Sequence, residues 1–224
     1  QGFGSVSVQQ TTDSGYVVAQ GSRVFKLNSD GTVVWYKTYG RRPGEPRQIH
    51  SHSIRQTSDG GYIVAGEMEL YDAEIGWRGS DAWVFKLNID GTVAWMKTYG
   101  GSKPNSDKAK SVRQTSDGGY IVAGMTTAFG AGGYDIWILK LDNNGNAEWQ
   151  KVYGGTNNQW ADSIEQTIDG GYIVGGTMSL DAMLLKLDSN GNVGHGYPGT
   201  WWKTYGGSSI DYIYSVQQTV DYDY

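Results

Sequence analysis

Five copies of S-[VI]-x-Q-T begin at Ser7, Ser53, Ser111, Ser163 and Ser215, with separations of 46, 58, 52 and 52 residues. Self-similarity at a period near 50 marks an array of small units that lean on one another, because one unit alone cannot cover its apolar surface. Each of the first four copies opens a tight hairpin. In Ser111–Gly124, Asp117-Gly118-Gly119 supplies the positive-φ positions of a turn between two β-permissive runs. The same hairpin stands at Ser53–Gly66 and Ser163–Gly176, and in worn form at Ser7–Gly21 around Asp13-Ser14-Gly15. The fifth copy stops after Val220, where Asp221-Tyr222-Asp223-Tyr224 replaces the Asp-Gly-Gly turn.

A second hairpin follows the first in every full unit. Asp81–Leu87, a turn at Asn88–Gly91 and Thr92–Tyr99 form it in unit two. Its counterparts are Arg23–Leu27 with Val33–Tyr39, Asp135–Leu141 with Ala147–Tyr153, and Asp181–Leu187 with Trp201–Tyr205. Four strands, A to D, therefore make one antiparallel sheet per repeat. Strand C reads as buried on both faces, with Trp83, Phe85 and Leu87 on one side and Ala82 and Val84 on the other. Such a sheet needs a neighbour against each face.

The motifs Q-T-S-D-G-G-Y-I-V-A-G, D-x-W-[VI]-[FL]-K-L-[ND]-x-[DN]-G and W-x-K-[TV]-Y-G-G resemble the β-propeller repeats of secreted and cell-surface proteins of bacteria and archaea. The resemblance implies an all-β fold, a β-propeller of four-stranded antiparallel blades, and a secreted or cell-surface location. It implies no shared active site, because that family is defined by its scaffold. One domain over residues 1–224 is expected, with repeats near 5–48, 49–106, 107–158 and 159–210 and an extra strand at 211–224. Four blades are favoured and five remain open. The extra strand, Ser215, Val216, Gln217, Gln218 and Thr219, could pack within its own molecule or complete a neighbour by strand exchange. The chain could also be a piece of a longer one.

Composition narrows function more than it defines it. Thirty-four glycines against four prolines, with 16 Tyr and 9 Trp, suit short strands and tight turns. A net charge of −5 argues against a duplex nucleic-acid partner. With no cysteine, neither a disulfide framework nor a thiolate metal site can form. No apolar run approaches the length of a membrane span. Gln1 is not an initiator Met, so a mature or trimmed product is expected.

The connections between strands B and C vary most, and variation on a rigid scaffold is where binding sits. The rim formed by these loops and the D–A connections is the expected working face, for a protein or glycan ligand. The longest loop, Glu67–Ser80, carries Glu67, Glu69, Asp72 and Glu74, then Trp77 and Arg78. The basic connector Arg41–Arg47 should emerge beside it. Ion pairing between loops is the plain reading, and a polar pocket with an aromatic wall is the functional one. Asp81, Asp135 and Asp181 open strand C, and Asp107 and Asp211 recur four residues before strand A. These carboxylates either bond loop backbone or line a pore mouth that takes a cation or serves a hydrolase.

Trp160, outside the strand-D register of Trp35, Trp95, Trp149 and Trp201, is a candidate for stacking on a ligand, while the recurrent set reads as packing. His50 and His52 share one side of an extended segment and are expected to be hydrogen-bonded. Asp142–Asn146 and Asp188–Asn192 resemble calcium loops without the closing Glu, so calcium is a minor expectation beside a plain hairpin. Gly194–Thr200 inserts into the last C–D turn. No nucleophile elbow, zinc-protease helix or phosphate-binding loop occurs, and no cofactor is expected.

Overall fold

The computed structural model describes residues 6–40, 49–72, 74, 76–102 and 104–219, leaving the side chains of 71, 72 and 77 undescribed. Every regular element among them is a strand, and no helix is long and apolar enough to cross a membrane. The chain forms two compact units, Gln1–Gln114 and Thr115–Tyr224. The boundary falls inside the third repeat, after its strand A.

The first unit holds two four-stranded antiparallel sheets. One comprises β1 (Val6–Gln10), β2 (Tyr16–Gln20), β3 (Arg23–Leu27) and β4 (Val33–Thr38), in chain order. The other comprises β5 (Ile49–Gln56), β6 (Tyr62–Asp72), β7 (Gly76–Leu87) and β8 (Val93–Tyr99). Strand β9 (Asn105–Gln114) joins β7 through a short parallel ladder, Gly79↔Asn105 and Ser80↔Ser106. This departs from the purely antiparallel expectation. Gly79, at φ 109°, allows it, since a β-carbon there would overlap the Asn105 carbonyl.

The second unit contains β10 (Tyr120–Thr126), β11 (Asp135–Leu141) and β12 (Ala147–Tyr153), antiparallel in that order. A third four-stranded antiparallel sheet follows, from β13 (Gln159–Gln166), β14 (Tyr172–Met178), β15 (Asp181–Leu187) and β16 (Trp201–Tyr205). Strand C is buried throughout in β11, and Trp83, Val84, Phe85 and Leu87 of β7 are likewise inaccessible.

One knot fastens the two hairpins of every repeat. Lys86 Nζ bonds the Leu87 carbonyl at 3.0 Å and Asp59 Oδ2 at 2.9 Å, while Thr57 Oγ1 donates to Asp59 Oδ1. Lys26 with Asp13, Lys140 with Asp117, and Lys186 with Asp169 repeat it. The strand-C lysines thus serve the A–B turns, at the opposite end of strand C from Asp81, Asp135 and Asp181.

Strand-D aromatics fasten one repeat to the next. Trp35 meets Tyr62 edge-on at 5.9 Å, and Tyr39 Oη donates to the Gly91 carbonyl at 2.7 Å. Trp149 meets Tyr172 at 6.1 Å, and Tyr153 Oη donates to the Gly191 carbonyl. A glutamine of each later strand A accepts from the preceding A–B turn: Thr12 N–H to Gln56, Ser58 to Gln114, Ser116 to Gln166 and Ile168 to Gln218, all at 2.8–2.9 Å.

The last of these bonds involves the fifth copy, whose expected strand is not formed. Residues 206–219 make no ladder, and 220–224 lie outside the described residues. The segment nevertheless occupies the repeat position on the β13–β16 sheet. Val216 is buried and donates to Ser163 Oγ at 3.2 Å, as Ile54 does to Ser7 and Val112 to Ser53. Asp211 N–H bonds the Leu180 carbonyl at 2.8 Å, and Ile213 covers Gly175. At the other end, Val8 is 59% exposed, whereas Ile54, Val112 and Ile164 are fully buried.

Candidate functional site

The expected long loop is a strand extension. Beta-permissive residues run on past Ala65, and the β6–β7 ladder continues to Asp72↔Gly76 with an irregularity between Glu69 and Tyr71. Glu67, Glu69, Asp72, Trp77 and Arg78 therefore lie on paired strands, and only residues 73–75 connect them. The Asp72 and Trp77 side chains and the Arg41–Arg47 connector lie outside what is described. Arg78 is exposed on β7.

Pairing to strand A sets the partners of the two glutamates. His50 lies opposite Glu67 in the β5–β6 register. His52 Nε2 approaches Glu67 Oε1 at 3.4 Å, Lys108 Nζ lies 2.8 Å from Glu67 Oε2, and His50 Nε2 lies 3.6 Å from Glu69 Oε1. The Glu67 and His52 side chains are only 7% and 10% exposed. Burial pushes the Glu67 carboxyl up, but hydrogen bonds from His52 and Lys108 outweigh it and hold the group at about 2. Burial lowers His52, opposed by its bond to Glu67, with Lys110 and Lys108 lowering it further. The cluster is thus an anion and a cation beside a histidine biased toward its neutral form.

In the second unit, Trp160 stands at the position of His50, and Asp162 at that of His52. Trp160 sits on β13, opposite Thr177, and not in a loop. Its ring lies 6.3 Å from Tyr212, which stacks on Tyr214 at 5.6 Å and 14°. Tyr212 and Tyr214 are 43% and 72% exposed. Lys108, Tyr212 and Tyr214 were not evident as site residues from motifs, yet a positional signal exists. Three residues and one residue before the serine of S-[VI]-x-Q-T stand His50/His52, Lys108/Lys110, Trp160/Asp162 and Tyr212/Tyr214. These share one face of strand A and change character in every repeat.

The carboxylates that open strand C gather at the Tyr-Gly end of strand D. A β-carbon on Gly100 would lie 2.5 Å from Asp107 Oδ2 and 3.1 Å from Asp81 Oδ1. Asp181 and Asp211 flank Gly206 in the same way, and Asp135 and Gln159 flank Gly154. Backbone takes part of this set. Gly101 N–H donates to Asp107 at 3.0 Å, Gly207 to Asp211 at 3.1 Å, Gly155 to Gln159 at 3.2 Å and Ala131 to Asp135 at 3.1 Å. Among the described residues, no three or more His, Asp or Glu side chains gather as a metal-binding set. Asp142 and Asp188, of the calcium-like turns, accept amides of their own turns, Asn144 and Asn146, and Asn190 and Asn192.

Residues 194–200 close on themselves, with Gly194 N–H donating to Thr200 Oγ1 at 3.1 Å. Of the Ser215–Thr219 segment, Gln217, Gln218 and Thr219 border a groove of about 480 Å³ shared with Glu165–Ile168.

No protein-family model matches the chain, and no curated protein does. Among solved structures it is similar to a protein of unknown function from Bacteroides caccae, at 14% identity and TM-score 0.47, over 83% of this chain and 63% of that one. It is similar also to a proposed exo-beta-1,3-galactanase from Bifidobacterium bifidum, at 14% identity and TM-score 0.49, over 90% and 70%. A third is the extracellular domain of a proposed one-component system from B. thetaiotaomicron, at 9% identity and TM-score 0.32, over 97% and 38%. Likeness this distant transfers no activity to this chain.

Proposed function

We propose that the chain is a β-propeller interaction module, secreted or at the cell surface, that recognises a protein or glycan through the outward face of its A strands and the adjoining rim. The location rests on the resemblance of its repeat motifs. The observation that carries the functional reading is a contrast within one repeat. The Asp–Lys knots and glutamine bonds recur from copy to copy, whereas His50/His52, Lys108/Lys110, Trp160/Asp162 and Tyr212/Tyr214 differ at each step. A constant frame bearing a variable face is the arrangement of a binding scaffold.

The Trp160–Tyr212–Tyr214 row favours a glycan, since exposed aromatic faces stack on sugar rings and carry a polar handle as well. A glycan array with the intact chain and with Trp160→Ala tests this. Binding to a sugar subset, lost in the variant, supports it. An array without binders contradicts it.

Self-assembly through Ser215–Thr219 belongs to the same proposal. The segment is docked without a strand partner and borders an open groove, so a strand from a second copy could pair there. Sedimentation velocity over a wide concentration range tests it, and a monomer throughout contradicts it.

A further inference from the structure

The strand-A motif is spelled S-V-Q-Q-T at Ser7–Thr11 and again at Ser215–Thr219, whereas the copies between carry Arg55, Arg113 or Glu165 at its third position. That position has a task in β1. Gln9 Oε1 accepts the Gln56 N–H at 2.6 Å, and Ser7 Oγ accepts that of Ile54 at 3.2 Å, so the pair holds β5. Arg55 and Arg113 instead donate to the carbonyls of Ile54 and Val112. Ser215 and Gln217 are exposed and present the same two acceptors, while Val216 between them is buried. The fifth copy is therefore a second β1.

The sheet that β1 belongs to has an open apolar row. Val8, Val18, Phe25 and Tyr36 lie side by side across β1–β4, with Val8 and Tyr36 exposed and the other two half-buried. The matching row of the next sheet, Ile54, Val64, Phe85 and Met96, packs against Val17, Ala19 and Val24. Ile164, Val174 and Leu185 pack in the same way against Ile121, Ala123 and Ile138. Trp35 covers Gly91 and Trp149 covers Gly191, but a β-carbon on the equivalent Gly31 would meet nothing within 4 Å. The row and Gly31 together have the shape of a surface that a sheet leans on.

The β13–β16 sheet carries the complement. Gly175 and Leu184 are paired there as Ala19 and Val24 are, and Val216 sits over Gly175. Trp201 and Tyr205 stand where other repeats place Trp35 and Tyr39, and Tyr205 is exposed.

We propose that Ser215–Thr219 of one chain takes the place of β1 in a second copy, Val216 pairing opposite Val18 of its β2, so that the second copy's open row comes to rest on the β13–β16 sheet. The row stands open while the fifth copy is already seated on its own chain, so the strand and sheet that cover it come from another molecule. Ser215 and Gln217 then accept the Ile54 and Gln56 amides of the second copy. Exchange trades one S-V-Q-Q-T ladder for another, so its strand pairing is close to neutral, and the gain is the apolar row taken out of water. This rests on the self-assembly reading above and names the strand and face it uses.

The chain has no cysteine, so introduced thiols report single contacts. Val18→Cys and Val216→Cys chains, each shown native by circular dichroism, are mixed at high concentration and oxidised, with a short bis-maleimide as a second linker. Opposed residues of an antiparallel pair lie within reach of both. A linked heterodimer well in excess of either homodimer is expected, falling roughly tenfold when Tyr36→Asp places a charge in the row. Self-association in sedimentation without a preferred heterodimer overturns this pairing and leaves self-assembly standing, whereas a monomer at every concentration overturns both. A chain carrying both thiols that links only to itself at high dilution, with no heterodimer in the mixture, gives the strand to its own β2 and overturns the second-copy contact.

Discussion

The indole of Trp35 closes over Gly91 so tightly that a β-carbon there would sit 3.0 Å from the ring, and Trp149 repeats the arrangement over Gly191 at 2.9 Å. Both glycines hold positive φ, 75° and 73°, so the junction between repeats demands a residue that is small and left-handed at once. Gly118 is also left-handed but faces open space. Gly91→Ala is expected to cost about 1–3 kcal/mol in urea unfolding, and Gly118→Ala about 1 kcal/mol, the backbone part alone. Equal losses would show that the ring contact contributes nothing.

The Asp–Lys knots set the acid limit. For Asp59, Asp117 and Asp169, burial pushes the carboxyl up, yet bonds from Lys86, Lys140 or Lys186, a threonine and a glycine amide hold each near 2, below the ordinary 3.8. Each group is more easily ionised folded than unfolded, so its contribution is complete above about pH 4 and is lost as the pH falls towards 2. Melting temperatures measured across that interval should drop steeply. Lys86→Met should start lower and show a shallower drop, and an unchanged slope would contradict the linkage.

Glu67 anchors the cluster on β5, β6 and β9. Glu67→Gln removes an anion that two cation-capable groups face, at an expected cost of about 1–3 kcal/mol. The bond to Glu67 also raises the His52 pKa against burial, so the variant should move the His52 titration further down from 6.5. NMR titration of the imidazole reads this directly. An upward shift would mean that Glu67 is not its partner.

Gly175 stands where the first three repeats carry Ala19, Ala65 and Ala123, and the methyl group it lacks makes room for Ile213. A β-carbon there would approach Ile213 at 2.7 Å and Val216 at 3.4 Å. Gly175→Ala should therefore loosen the C-terminal segment and make it a target for limited proteolysis, while the sheet below keeps its circular dichroism. Unaltered proteolysis would show that Ile213 does not press on that surface.

Strand positions were legible in the sequence because turn residues and alternating side chains repeat four times, so each repeat checks the others. Glu67–Ser80 misled because unequal length looked like a loop. Its continuing alternation, with Glu67 and Glu69 on one face and Met68 on the other, was the sign of a longer hairpin. The fifth copy docks its side chains without forming a ladder, since the motif specifies side-chain docking and not strand pairing. Pairing of Glu67 with His52 and Lys108 was not readable, because it depends on which strands lie side by side.

Amide hydrogen exchange at Val216 tests most directly the idea that each strand-A motif docks on the repeat before it, the terminal one included. Its N–H is buried and bonded to Ser163 Oγ, so exchange should be slowed well below the free-peptide rate and approach that of Ile54 and Val112. Val216→Asp should abolish the protection of Ile168 as well, by releasing Gln218. Exchange of Val216 at the free-peptide rate in the intact chain would contradict the account.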